Sequence, residues 1–82
     1  MKYTVVWKPR AEQELAELWM QAADRDIVGH AAQQIDWKLR DAPLEVGESR
    51  EGEFRLLCIL PLVVGYQVSE ADCLVIVRIR AT

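Results

Sequence analysis

The chain opens with a short run of residues whose side chains would alternate between the two sides of a strand. Tyr3, Val5 and Trp7 occupy every second position of the first eight residues, and a period of two with aromatic and β-branched residues predicts a strand. Pro9 ends this pattern. Because proline suits the first turn of a helix and acidic residues follow it, we expect a helix to begin close behind Pro9.

Apolar residues then recur at spacings of three and four in two stripes, as they do on amphipathic helices. The first stripe runs through about Ala23 and the second from Val28 to Leu39. Asp24 and Asp26, both favourable N-cap residues, separate the stripes, and Pro43 cannot continue the second helix. The short connection predicts an antiparallel helix hairpin. The core stripe of its first helix is predicted to contain Ala11, Leu15, Leu18, Trp19 and Ala22.

The second half of the chain predicts one loop and three strands. Residues 44–52 are polar and predict a loop, whereas residues 53–60, 62–69 and 73–80 are strand-like runs. Residues 70–72 predict a hairpin turn between the last two runs. The whole order is strand, helix, helix and a three-stranded antiparallel meander. This order predicts an α+β fold with both helices on one face of the sheet.

Alternation along each strand divides the predicted sheet into a core face and an open face. The predicted core face carries Phe54, Leu56, Cys58, Leu60, Leu62, Val64, Tyr66, Val68, Val75, Val77 and Ile79. The predicted open face carries Leu57, Ile59, Val63, Leu74 and Ile76, with Arg55, Arg78 and Arg80 around them. So many large apolar groups on an open face predict a homodimer, a second covering layer or a groove for a partner chain. We favour the groove, in which the arginines would hold the partner's carboxylates.

Three residues, Arg55, Gly65 and Trp37, allow both a functional and a structural interpretation. Arg55 could contact a partner or pair with a nearby glutamate (Glu48, Glu51 or Glu53). Gly65 in mid-strand indicates the close approach of another backbone or ring, or a bulge. Trp37 points about 160° away from Ile35 on a helical wheel, which predicts either an exposed partner anchor or a residue that the chain's own loops cover. Asp36 and Arg40 are expected to form a helix-surface ion pair.

Composition and charge narrow the classes of function. The 82 residues are 51% hydrophobic and 28% charged, which excludes a disordered chain and fits a single small domain over residues 1–82. The net charge of −3 disfavours a dedicated nucleic-acid binder, because such proteins usually carry positive charge.

Cysteine, histidine and hydropathy patterns predict no cofactor, metal or membrane segment. Cys58 and Cys73 lie inside apolar runs and are expected to be buried thiols rather than a disulfide framework. His30 is the only histidine, and the metal-ligand spacings of zinc sites are absent from the sequence. No apolar stretch approaches the ~20 residues that span a bilayer, so we expect a cytoplasmic protein.

The order of these elements resembles the RelE/ParE superfamily, the toxins of bacterial type II toxin–antitoxin modules of the plasmid stabilisation type. The likeness extends over nearly the whole chain. The residues that carry it are Tyr3–Trp7, Pro9, Ala11, Glu14, Leu15, Leu18, Ile35, Asp36, Leu39, Pro43, Arg50, Arg55, Pro61–Val64, Tyr66–Val68 and Val75–Val77.

The resemblance implies a toxin that a cognate antitoxin neutralises by wrapping a tail around it. The RelE branch cleaves messenger RNA on the ribosome with basic residues of the open sheet face and a C-terminal Tyr or His. In this sequence Arg55, Arg78 and Arg80 are the matching catalytic candidates. The ParE branch inhibits DNA gyrase and lacks that catalytic set, and some members of the superfamily have lost activity.

Three departures from the nuclease pattern favour the ParE-like branch. Val63 stands where the nucleases carry arginine, residues 74–82 contain no Tyr or His, and the overall charge is acidic. We therefore expect a toxin that binds a protein target, with gyrase as the family's usual candidate. The alternatives are a RelE-like endoribonuclease and a degenerate, non-toxic interaction module. The predicted partner-binding surface consists of Arg55, Leu57, Ile59, Val63, Gly65, Leu74, Ile76, Arg78, Arg80 and Trp37.

Overall fold

Two long helices lie against one mixed sheet in a computed structural model that describes residues 2–49, 52 and 54–80. The α+β fold predicted above is confirmed. In chain order the elements are β1 (Thr4–Trp7), α1 (Pro9–Gln21), α2 (Arg25–Asp41), α3 (Pro43–Val46), β2 (Glu48–Ser49), β3 (Phe54–Ile59), β4 (Leu62–Ser69) and β5 (Leu74–Arg80).

The helices begin and end where the sequence signals place them. Pro9 stands at the first position of α1. The Asp24 carboxylate caps α2, because its Oδ1 accepts the backbone N–H groups of Asp26 at 3.1 Å and Ile27 at 3.3 Å. Such a cap satisfies amide groups that have no partner within the helix. α2 then ends before Pro43, as predicted.

The strands form a sheet in the order β1-β5-β4-β3-β2 among the described residues. β1 pairs with β5 in parallel, and the other neighbours are antiparallel. The first and last strands of the chain are therefore neighbours, and Val5 lies beside Val75. Residues 70–73 form the predicted turn between β4 and β5.

One sheet face and the inner sides of α1 and α2 form the core. α2 contributes most of the helical part, with Val28, Ala31, Ile35 and Leu39 all buried. The strand residues of this cluster are Val5, Leu57, Leu62, Val64, Tyr66, Val75 and Val77, and Ala11 joins them from α1. A core of this size fits a domain near the lower limit for independent folding.

From residue 44 to residue 49 the chain is not the irregular loop that the polarity of residues 44–52 predicted. α3 occupies residues 43–46, and β2 adds a two-residue strand to the edge of the sheet. The hydroxyl of buried Tyr66 donates a hydrogen bond of 2.6 Å to the carbonyl oxygen of Pro43 and so fixes the start of α3. Gly47 passes against Tyr66, where an added Cβ would also lie 2.9 Å from the carbonyl oxygen of Leu56. Contacts with a distant strand therefore order this segment.

The predicted faces of β3 are wrong. Leu57 is only 6% exposed and Ile59 packs against the core, whereas Cys58 is exposed and Leu60 is 78% exposed. The reason lies in the hairpin: Ile59 pairs directly with the core residue Leu62, and residues paired across antiparallel strands share a face. Every position from 56 to 60 is apolar except for the thiol of Cys58, so hydrophobicity alone could not fix the alternation.

Two smaller predictions also need correction. Trp19 is 43% exposed rather than part of the core, and the guanidinium of Arg25 lies 4.7 Å from its ring centroid. This geometry is a cation–π contact at the protein surface. Cys58 is exposed and Cys73 is half-buried, so the prediction of two buried thiols is wrong.

Candidate partner-binding surface

The sheet face that the helices leave uncovered is rich in apolar side chains. We call it the open face. Its described members alternate with the buried strand residues and are Thr4, Val6, Phe54, Leu56, Cys58, Val63, Gly65, Gln67, Ser69, Leu74 and Ile76, and the exposed Arg78 adjoins them at a shift in strand register. Leu56, Val63, Leu74 and Ile76 are all half-buried by their neighbours within the sheet. The edges of these side chains remain in contact with solvent.

The strand register brings the apolar members of the open face together. Val6 pairs with Ile76 across β1 and β5, and Ile76 pairs with Gln67 across β5 and β4. On the other side of β4, Val63 pairs with Cys58. A contiguous apolar area of this kind on a small domain is typical of an interaction surface.

Gly65 lies under an aromatic ring of the same chain. A Cβ at this position would meet the ring of Phe54, with one ring carbon at only 2.9 Å. The glycine in mid-strand predicted that another backbone or a ring approaches closely, and the Phe54 ring of the same chain is the group that does so. A register shift between Gly65 and Tyr66 also places a bulge there, as the alternative interpretation predicted. Gly65 is buried, and its lack of a side chain lets the Phe54 ring lie on the open face.

Arg55 does not lie on the open face. It pairs with the core residue Tyr66, and its Nη2 donates hydrogen bonds to the carbonyl oxygens of Leu44 at 2.8 Å and Gly47 at 2.9 Å. Its Nε is buried and has no hydrogen-bond partner among the described residues. A cation on the carbonyls at the end of a helix is favourable both as a charge-assisted donor and through the helix dipole. Arg55 thus holds the end of α3 to β3, which is a structural role.

The position of the two C-terminal arginines depends on the bulge. Val77 pairs with Tyr66 and Ile79 with Gly65, which leaves the exposed Arg78 as the extra residue. The prediction that Arg78 and Arg80 share a face assumed unbroken alternation, and the register shift breaks that alternation. Arg80 belongs to β5, but its side chain lies outside the described part of the structure.

The open face therefore assembles only part of the predicted surface. Val63, Leu74, Ile76 and Arg78 lie there, whereas Arg55, Leu57 and Ile59 belong to the core side of β3. Sequence reasoning missed Val6, Phe54, Leu56 and Cys58. The signal that could have found the three β3 residues is the hairpin turn at Leu60 and Pro61, because it makes Ile59 the partner of Leu62. Arg50, Glu51 and Glu53, which also entered the predictions, lie outside the described residues.

Trp37 is as exposed as predicted, at 72%, but it belongs to a different surface. It projects from α2, which covers the opposite side of the sheet from the open face. The expected ion pair on the same helix is present, with Arg40 Nε 2.7 Å from Asp36 Oδ2. The open face and the surface around Trp37 are therefore separate candidates for contact with partners.

The open face carries few polar or ionisable side chains among the described residues. On β3, β4 and β5 these are Cys58, Gln67, Ser69 and Arg78. No three His, Cys, Asp or Glu side chains within the described ranges come together as metal ligands. In the same ranges, no helix is both long and apolar enough to cross a bilayer.

Among the comparisons with known proteins, only the comparison of structures finds similar proteins. No protein-family model and no curated protein sequence matches this chain. A chain from the crystal structure of the RelBE2 toxin–antitoxin complex of Mycobacterium tuberculosis superposes with a TM-score of 0.79 at 19% identity, over 99% of this chain and 91% of that one. This chain has the RelE toxin fold. The RelE/ParE-type architecture that the sequence resemblance implied is thereby confirmed.

Two Escherichia coli structures share the RelE toxin fold with this chain. A chain of the intact RelBE toxin–antitoxin complex gives a TM-score of 0.70 at 17% identity, over 98% of this chain and 95% of that one. The isolated RelE toxin gives 0.69 at 16% identity, over 98% of this chain and 83% of the toxin. The similarity therefore includes all the elements described above rather than one motif.

Proposed function

We propose that this chain is the toxin of a type II toxin–antitoxin module and that a cognate antitoxin neutralises it in the cytoplasm. The observation that carries the proposal is the RelE toxin fold, which the chain shares over 98–99% of its length with proteins of RelBE complexes. The open face adds a second argument, because an uncovered apolar sheet is a suitable surface for a protein chain. Arg78 at its rim would attract carboxylates of the antitoxin.

We propose further that the toxin acts by binding a protein target, in the manner of the ParE branch, with DNA gyrase as the candidate that the family resemblance supplies. The support is electrostatic. RNA cleavage requires groups that accept a proton, donate a proton and stabilise a charged phosphorane. Arg55 donates hydrogen bonds to the carbonyl oxygens of Leu44 and Gly47, which argues against a direct role for this candidate arginine in RNA cleavage. Arg78 is the one cation among the described open-face side chains of β3, β4 and β5.

A ribosome-dependent endoribonuclease is the second candidate function. The similarity to structures of RelE toxin favours it. In that case Arg78 and Arg80 would be the groups that contact the RNA. An RNA substrate is attracted by positive charge on the protein. Neither the acidic net charge nor the apolar open face supplies it.

The deciding experiment is induced expression of the chain alone in a bacterial host, with growth, translation, messenger RNA ends and plasmid supercoiling followed in parallel. We expect growth arrest with altered supercoiling and intact messenger RNA. Messenger RNA cut within codons would establish the nuclease instead. Normal growth with folded protein present would contradict a toxin that acts in that host and favour the degenerate interaction module.

Two variants, one on the open face and one outside it, test whether toxicity depends on the open face. Ile76→Glu places a charge in the centre of the apolar area and is expected to abolish toxicity. Met20→Glu replaces an apolar residue that is 66% exposed on α1 and is expected to leave toxicity unchanged. Circular dichroism of both variants verifies that they fold. An Ile76→Glu protein that folds and remains fully toxic would show that the target binds elsewhere.

A further inference from the structure

The outer side of α2 carries a second periodic stripe that the fold leaves uncovered. Its inner side packs into the core, whereas Ile27 is 53% exposed and Trp37 is 72% exposed. Together with the exposed His30, Gln34 and Asp41, these residues form what we call the α2 stripe. The intervals between them are three, four, three and four residues, which is the heptad spacing of a helix that packs along a second helix.

The apolar character of the stripe extends onto the neighbouring hairpin. Leu60, which is 78% exposed, lies beside it at the turn between β3 and β4. A shallow depression of about 360 Å³ separates the two and is lined in part by Ile27, His30, Gln34 and Leu60. Isolated exposed apolar residues are common on protein surfaces, but three large ones along one helix and the adjacent turn form a patch.

We propose that two copies of this chain associate through the α2 stripe, with the two α2 helices antiparallel about a twofold axis. The two seam positions of a heptad are called a and d, and in an antiparallel helix pair an a residue of one helix lies opposite a d residue of the other. Ile27 and Gln34 occupy a positions, and His30 and Trp37 occupy d positions. Ile27 of one copy then lies opposite Trp37 of the other, and His30 lies opposite Gln34. Because the axis repeats each pair, the stripe is its own complement, as a twofold interface requires.

The charges that flank the stripe fit the same arrangement. The residues beside the stripe are the acidic Asp24 and Asp26 at the start of α2 and the basic Lys38 and Arg40 near its end, while Arg25 and Asp41 carry the opposite charge at the first and last positions of the helix. With Ile27 opposite Trp37, the flanking positions place Asp26 opposite Arg40 and Asp24 opposite Lys38, so each facing pair has opposite charges. A parallel arrangement would instead bring acidic ends and like ends of the helix dipoles together. The charge pattern thus argues for a second copy of this chain in the antiparallel orientation.

The expected association is weak. The seam contains two apolar layers around a polar centre, and α2 is 17 residues long. An interface at the small end of the range for protein complexes is expected to have a dissociation constant on the order of micromolar. Since α2 covers the opposite side of the sheet, such a dimer leaves the open face accessible. This proposal is consequently independent of the toxin function, and either can fail alone.

Sedimentation velocity of the full chain, from about 0.05 µM to about 100 µM, brackets such a constant and tests the association. We expect the weight-average sedimentation coefficient to rise from the monomer value to the dimer value. Trp37→Glu removes an exposed ring and places a carboxylate near the second copy's Ile27 and Asp26, so it is expected to weaken association at least tenfold. Met20→Glu, an equally exposed change outside the stripe, is the matched control and is expected to have no effect.

Disulfide formation tests the orientation of the two helices. In a Cys58→Ser background, His30→Cys and Gln34→Cys proteins are prepared separately and then mixed under mild oxidation. The antiparallel model predicts a disulfide-linked heterodimer well above the level in either protein alone or in the background protein, because these positions face each other across the interface.

Three results would overturn the proposal. The first is a chain that stays monomeric at every concentration, which would assign the stripe to a different protein. The second is a dimer that Trp37→Glu leaves intact. The third is a disulfide that forms as readily within each single-cysteine protein as in the mixture, which would indicate a parallel pair.

Discussion

The corner around α3 and the open face use polar and apolar residues in opposite ways. At the corner, Arg55 and Tyr66 direct polar groups inward onto backbone carbonyls and hold a short helix in place. On the open face, Leu56 and Ile76 present apolar groups toward solvent, where they contribute little to the core. Arg55, which the family resemblance makes a functional candidate, thus holds backbone groups of its own chain, and the apolar residues of the open face, which would suit a core, are candidates for recognition.

The largest expected effect separates the two faces of β3. Leu57→Ala removes a buried side chain and leaves a cavity, so it is expected to lower the free energy of unfolding by about 2–4 kcal/mol. Leu56→Ala, one residue away on the half-buried open face, is expected to cost about 1 kcal/mol or less. Urea denaturation of the two variants measures the difference. Equal losses, or a larger loss for Leu56→Ala, would show that the β3 face assignment is incorrect.

A second contrast compares the two arginines that the sequence could not distinguish. Arg55→Ala removes two charge-assisted hydrogen bonds to α3 and is expected to lower the free energy of unfolding by about 2 kcal/mol. Arg78→Ala, at an exposed position, is expected to change it by less than about 0.5 kcal/mol while weakening antitoxin binding. The opposite pattern, a stable Arg55→Ala with lost function, would return Arg55 to the partner surface.

The sequence was sufficient for α1, α2, the four longer strands and most of the core, because the signals for these elements are local. Pro9, Asp24 and Pro43 are strong helix signals, and α2 carries a regular apolar stripe from Val28 to Leu39. β4 was predicted over the same residues that the structure shows. Signals of this kind act within one turn or one strand, so they can be recognised in the sequence without knowledge of the tertiary structure.

What failed depended on contacts between distant residues. The faces of β3 are set by its pairing with β4, and α3 is ordered by hydrogen bonds from Arg55 and Tyr66. The bulge between Gly65 and Tyr66 changes the alternation of β5. These contacts leave no local trace in the sequence, and the nearly uniform hydrophobicity of positions 56–60 gives no alternation from which the faces of β3 could be assigned. The candidate surface was therefore only half predicted, because its membership follows from strand register.

The smallest expected effect concerns Gly65, which lies under the Phe54 ring on the open face. Gly65→Ala adds a methyl group under the ring of Phe54, 2.9 Å from one ring carbon, and is expected to cost about 1 kcal/mol of unfolding free energy. In a Phe54→Ala background the ring is absent, so the same change is expected to be neutral or slightly stabilising, since alanine loses less backbone entropy than glycine in a strand. A double-mutant cycle from thermal melts measures this coupling. A coupling energy near zero would mean that the ring does not hold Gly65, and the mid-strand glycine would then be explained by the bulge alone.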